Sequence, residues 1–115
     1  MQSQPLIAVR DVQSTSQWYQ RTLGFTSGHG GPEYEQLMSG GKLVLQLHHW
    51  NAHEHPNLGN PDVQPYGNGV VLWFFEASIV AAYQRAVAED AEIIEALNVN
   101  PLANHREFWL RDPNG

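Results

Sequence analysis

Two stretches of this chain repeat one order of elements. A short apolar run leads into an amphipathic helix, and alternating segments cut by turn residues follow. Laying Val9-Arg10-Asp11 over Phe75-Glu76-Ala77 puts Tyr19 over Tyr83 and Arg21 over Arg85, an offset of 64 to 66 residues whose small drift one loop difference produces. The pattern points to a duplicated unit. At 115 residues the chain suits one domain with a self-sufficient core.

In the first half Leu6-Ile7-Ala8-Val9 is predicted as a strand. Ser14-Thr15-Ser16-Gln17 then has the S-x-x-Q form of a capping box, in which hydroxyl and amide satisfy the unpaired N–H groups of a helix start. A helix over about Thr15 to Leu23 follows, with Tyr19 and Leu23 on its buried face and Gly24 at the place of a left-handed C-cap. Phe25 to Gly28, Tyr34 to Met38 and Lys42 to His48 read as three antiparallel strands. In the last of these Leu43, Leu45 and Leu47 alternate with Gln46 and His48, so leucines and polar groups face opposite ways.

Residues 49 to 68 hold three His, three Pro and four Asn, which reads as a loop of about 20 residues, either a functional flap or a linker between halves. The continuous apolar run from Val70 to Phe75 is predicted as a strand covered on both faces. Ile79, Ala82, Tyr83, Ala86 and Val87 give the best helical period in the chain. Glu92 to Leu97 and Glu107 to Arg111 are then two strands, and Asp112-Pro113-Asn114-Gly115 is a turn. The predicted fold is α+β, βαβββ over about residues 1–50, a loop at 51–68, and βαββ over 69–115. The helices pack on the outer faces of their sheets, and module two has three strands where module one has four.

Composition narrows the function. Twelve acidic residues against six basic ones give a net charge of −6, with Lys42 the single lysine, so no basic stripe exists to bind a phosphate backbone. No apolar run is long enough to span a membrane, and the first residues do not read as a signal peptide, so a cytoplasmic location is expected. Without cysteine, any metal would need His, Gln or carboxylate ligands. Ser14, Ser16 and Ser78 sit at helix starts, where capping explains them, and no nucleophile motif is present.

Ile7-Ala8-Val9-Arg10-Asp11-Val12 with Trp18-Tyr19 and Leu23-Gly24-Phe25 at one end, and Arg106-Glu107-Phe108-Trp109-Leu110-Arg111-Asp112-Pro113-Asn114-Gly115 at the other, resemble the two signatures of the vicinal oxygen chelate superfamily. That group includes glyoxalase I, extradiol dioxygenases and fosfomycin- and bleomycin-resistance proteins. The resemblance spans nearly the whole chain and implies paired βαβββ modules whose curved sheets form a cup for a small molecule, often in a homodimer. It places the last strand of module two after the closing turn, so that strand is absent from this chain. It also implies metal ligands on the first and last strands of each module. Here those positions are Gln4, Gln46 and either Val70 or Asn68, with no counterpart for the fourth. Neutral amides and a valine are poor divalent-metal ligands.

The resemblance therefore implies a small-molecule-binding protein without the usual metal, its cup lined by Gln46, His48, Glu107 and Trp109, with Leu72 and Phe74 cup-facing by strand parity. Trp50, Trp73 and Tyr66 are further aromatic candidates. The alternative is a metal-dependent lyase or dioxygenase that holds a divalent metal on Gln4, Gln46 and His48. His48-His49, His53 and His55, with Glu54 between the last two, invite a metal reading as well, although no structured ligand spacing appears and a solvated or gating loop accounts for them better.

Overall fold

The computed structural model describes residues 1–51 and 56–115, which leaves His53, Glu54 and His55 outside the described residues. Strand β1 (Leu6–Val9) opens the fold, with Ile7 and Val9 turned to the core. Helix α1 (Val12–Leu23) begins a turn earlier than the Ser14 capping box predicts. Asp11, in extended backbone, accepts the Ser14 N–H at 2.8 Å and so wins the N-cap. That bond also holds the Asp11 carboxyl below its usual range. At the other end Gly24 adopts φ 73° and returns its N–H to Gln20 at 3.0 Å. A Cβ there would meet only the end of the flexible Arg85 side chain, which can move aside, so it is the left-handed backbone that favours glycine.

Strands β2 (Thr26–His29), β3 (Tyr34–Ser39) and β4 (Lys42–His49) form an antiparallel meander, and β4 also pairs in parallel with β1. The sheet is therefore mixed, in the order β1-β4-β3-β2. Leu37, Leu45 and Leu47 point to α1 and close a core with Val9, Val12 and Tyr19, all at most 3% exposed. Burying each such side chain contributes about 1.5–3 kcal/mol.

Helix α2 (Ile79–Ala88) lies on a hairpin of β5 (Glu92–Asn100) and β6 (His105–Arg111), with Tyr83 edge-on to Phe108 at 5.2 Å. Each helix covers its own strands, and the two also touch, joined by an Arg21–Glu89 ion pair at 3.7 Å. The two strands predicted after α2 are real, and each is longer than predicted.

The run from Val70 to Phe75 departs from its prediction as a doubly covered strand: it has no strand pairing. In the first half the equivalent strand β1 is paired by β4. Among the described residues no strand occupies that place in the second half, so the run lacks a ladder. Leu72 and Phe74 pack against the core, while Val70, Val71, Trp73 and Phe75 are 57–91% exposed. The run alternates where a buried strand would be apolar on both sides.

The closing turn docks the second half on the first. Tyr19 donates its hydroxyl to Asp112 Oδ2 at 2.7 Å, Asn114 Nδ2 donates to Thr15 Oγ1 at 3.2 Å, and the Arg10 N–H donates to Asn114 Oδ1 at 3.3 Å. Burial, and then the Asp112 charge, push the Tyr19 hydroxyl far above the ordinary tyrosine range, so it stays a donor. Arg10 also donates to the Tyr66 hydroxyl, which in turn donates to the Pro61 carbonyl. That part of the connection is pinned to the end of β1.

Two measurements check this reading. Tyr19→Phe should lower the unfolding free energy by about 1–3 kcal/mol, the worth of a hydrogen bond to a charged group, with an unchanged urea m-value. In amide hydrogen exchange, β4 should be protected while Val71 to Phe75 exchange near the unfolded rate; equal protection would show a ladder on that run.

Candidate ligand site

Register decides which polar groups meet. Gln36 pairs with Gln46 and Tyr34 with His48 across β3 and β4, and β1 places Leu6 and Ala8 beside the same two positions. All project from the face opposite the core leucines. Gln36 Nε2 donates to the Tyr34 hydroxyl at 3.1 Å, Tyr34 donates to Gln46 Oε1 at 2.5 Å, and Gln46 Nε2 donates to the Gln4 carbonyl at 3.0 Å. This row of dipoles fixes the Gln46 amide. His48 is 5% exposed, with its ring 6.1 Å from Tyr34. Its Nδ1 lies 2.7 Å from the His49 carbonyl oxygen. A carbonyl only accepts, so Nδ1 carries a proton and donates to it.

A second group forms on the hairpin. Phe108 turns to α2, which leaves Glu107 and Trp109 on the other face. Glu107 Oε1 accepts from Trp109 Nε1 and from Asn100 Nδ2, both at 3.3 Å, and Oε2 accepts from His105 Nε2 at 2.8 Å. The His105 hydrogen bond leads the causes that hold the Glu107 carboxyl below its usual range, with Trp109 and Asn100 adding to it. Trp73 stands edge-on to Trp109 at 6.1 Å and to His105 at 5.6 Å. The result is an aromatic corner beside an oriented, ionised carboxylate.

Of the six residues anticipated from sequence, Gln46 and His48 share the first group, and Glu107 and Trp109 the second. Leu72 and Phe74 do not face the cup. They pack against the core, Phe74 edge-on to Phe25 at 5.3 Å, because the run uses that parity to cover the first module. Their expected orientation is corrected, and Trp73 of the opposite parity takes the place beside Trp109. Tyr34, Gln36, Asn100 and His105 join the groups without having been anticipated. Strand parity in β3 could have pointed to Tyr34 and Gln36, but His105 lay outside the strand as predicted.

The superfamily metal tests poorly against these donors. Gln46 has both amide atoms committed, to Tyr34 and to the Gln4 carbonyl, and Val70 has no donor atom. Among the described residues no three His, Asp or Glu side chains converge. Two neutral amides and one imidazole do not fit a divalent cation.

No helix among the described residues is long and apolar enough to cross a membrane. Solved structures share the fold. Virulence protein STM3117 from Salmonella typhimurium superposes with a TM-score of 0.72 at 19% identity, over 100% of this chain and 90% of that one. TioX from Micromonospora sp. ML1 gives 0.67 at 20%, over 100% and 90%. A glyoxalase/bleomycin resistance protein/dioxygenase from Nocardioides gives 0.70 at 20%, over 98% and 78%. No curated protein matches the chain. The profile of the Glyoxalase/Bleomycin resistance protein/Dioxygenase superfamily matches residues 2–115, and with the mixed sheet and repeated helix-on-sheet order this places the chain in that superfamily.

Proposed function

We propose that this chain binds a small molecule with a flat apolar ring and a basic group, and does so without the superfamily metal. The observation that carries the reading is the Glu107 carboxylate set between Trp109, His105 and Asn100, with Trp73 closing the corner. A ring stacks against the half-buried indole of Trp109 beside the exposed Trp73, and a cation there finds both the π face and a charge already ionised. The net charge of −6 favours the approach of a cation. The Gln36, Tyr34, Gln46 row offers fixed donors and acceptors to a ligand's polar edge.

The test is a ligand screen read by tryptophan fluorescence. Trp109→Ala should weaken an aromatic cation roughly two- to thirtyfold, on the order of 0.5–2 kcal/mol, with the fold intact. Glu107→Gln should remove the preference for the cation over a neutral isostere. A carboxylate whose folded pKa is depressed stays charged to below the ordinary range, so cation binding should be lost as the pH drops through the lowered Glu107 value. A screen that returns only anions would overturn the reading. So would a stoichiometric divalent metal that survives dialysis, which would favour the lyase or dioxygenase alternative on Gln4, Gln46 and His48.

We also propose that the chain acts as a homodimer. Val70, Val71 and Phe75 are exposed on a run with no ladder, and uncovered apolar surface beside unpaired backbone invites a second copy. Sedimentation velocity should show a dimer, and a clean monomer at high micromolar concentration would refute it.

A further inference from the structure

Three rings gather around the Glu107 carboxylate. His105, Glu107 and Trp109 alternate along one face of β6, and Trp73 stands edge-on to the ring on each side of Glu107, at 65° to His105 and 82° to Trp109. Both β6 rings turn a nitrogen to the carboxylate between them, Trp109 Nε1 to Oε1 and His105 Nε2 to Oε2, and the Asn100 amide adds a third donor at Oε1. A carboxylate has about four acceptor positions, so these donors leave one, on Oε2. The Glu107 side chain is 12% exposed, while Trp73 is 57% exposed. A ligand at this corner therefore meets the charge of Glu107 and the surface of the indoles, but little of the carboxylate's hydrogen-bonding capacity.

That division selects among cations. A primary ammonium brings three donors. The carboxylate has one acceptor position left for them and the rings present carbon, so the remaining N–H groups stay in water or go unmet at a cost. A guanidinium needs two carboxylate oxygens side by side, and here Trp109 and Asn100 hold one while His105 holds the other. A fully alkylated ammonium has no donor to satisfy. Its charge is spread over methyl groups that pack on π faces, and two indoles at a right angle present two such faces to one cation.

We infer, resting on the reading above, that the basic group of the ligand is a quaternary ammonium, carried by a free small molecule and held against Trp73 and Trp109 with Glu107 as its counter-charge. His105 is then the specificity-determining residue: by bonding Oε2 it withholds the better acceptor from a cation that carries N–H groups. Trp73 lies on a run with no ladder, so its ring can settle on the methyl groups without breaking sheet hydrogen bonds. A phosphorylated choline headgroup carries the same cation, but its phosphate meets a chain with a net charge of −6.

The test is a tryptophan-fluorescence titration of the intact chain with benzyltrimethylammonium, benzylammonium and phosphocholine, in mildly alkaline buffer where an imidazole is neutral. Benzyltrimethylammonium should bind about fivefold or more tighter than benzylammonium, the difference that one unmet donor makes. Phosphocholine should not saturate. His105→Phe is the decisive variant, since it keeps a ring against Trp73, removes the donor to Oε2 and alters a side chain that is 43% exposed. Its circular dichroism should match that of the unchanged chain. Benzylammonium should gain in this variant until the preference is about twofold or less, whereas a loosened structure would weaken both cations alike. Benzylammonium binding the unchanged chain as tightly as its trimethyl counterpart, or an unaltered ratio in His105→Phe, would overturn the inference and leave the proposed cation site standing. Saturation by phosphocholine would overturn the assignment to a free cationic ligand, and binding of neither benzyl cation would overturn both readings.

Discussion

Strand β4 takes hydrogen bonds from two directions, parallel from β1 and antiparallel from β3, so both neighbours read its side chains at once. Leu45 and Leu47 must then meet α1, and Gln46 and His48 must meet Tyr34 and Gln36 on the other side. A slip of one residue would exchange the two sets, burying amides under the helix and exposing leucines on the opposite face of the sheet. The first module's core and its polar row are thus two faces of one pairing, and neither can change register without the other. The same constraint places Glu35 beneath α1, since it alternates with Tyr34 and Gln36.

The second module has no such strand among its described residues, and its energetics follow. Nearly all the deeply buried apolar side chains belong to the first module, while Ala86 alone represents α2. The hairpin and helix are held by borrowed contacts. The Tyr19 hydroxyl and the Asn114 amide anchor the closing turn, and Leu72 and Phe74 reach back into the first module's core. That last contact also serves the site. With Leu72 and Phe74 committed to the core, Trp73 between them must turn the other way, and there it meets Trp109 and His105. An aromatic corner is built from a run that could not become a strand.

Charge completes the picture of the site and sets its carboxylate apart from the buried one. Glu107 is stabilised as an anion by three donors within its own hairpin yet stands beside exposed indole surface, where a ligand can reach it. Glu35, in contrast, is buried and surrounded by neutral donors from α1 and β2 and by its own strand's backbone. The chain carries an acidic excess, so the field around Glu107 favours a cation.

Elements whose signals lie within a few residues are legible in the amino-acid sequence itself: the leucine alternation of β4, the helical period from Ile79 to Val87, the left-handed cap at Gly24, and the repeated order that marks the superfamily. These follow from backbone geometry, which imposes a period of two or of 3.6 wherever the segment sits. What stays open at that level are choices between locally equal options. Asp11 and Ser14 are both good N-caps, and the backbone leading out of β1 selects the first. Either parity of Val70 to Phe75 could be buried, and the position of the first module's core selects Leu72 and Phe74. Gln36, Tyr34 and Gln46 are 10 to 12 residues apart or adjacent only by parity, and sheet register alone makes them one hydrogen-bonded row. Trp73 and Trp109 are still farther apart in the chain and meet because two modules pack. Local sequence sets how a segment is shaped, whereas its partner depends on pairing over tens of residues, which only the assembled fold decides.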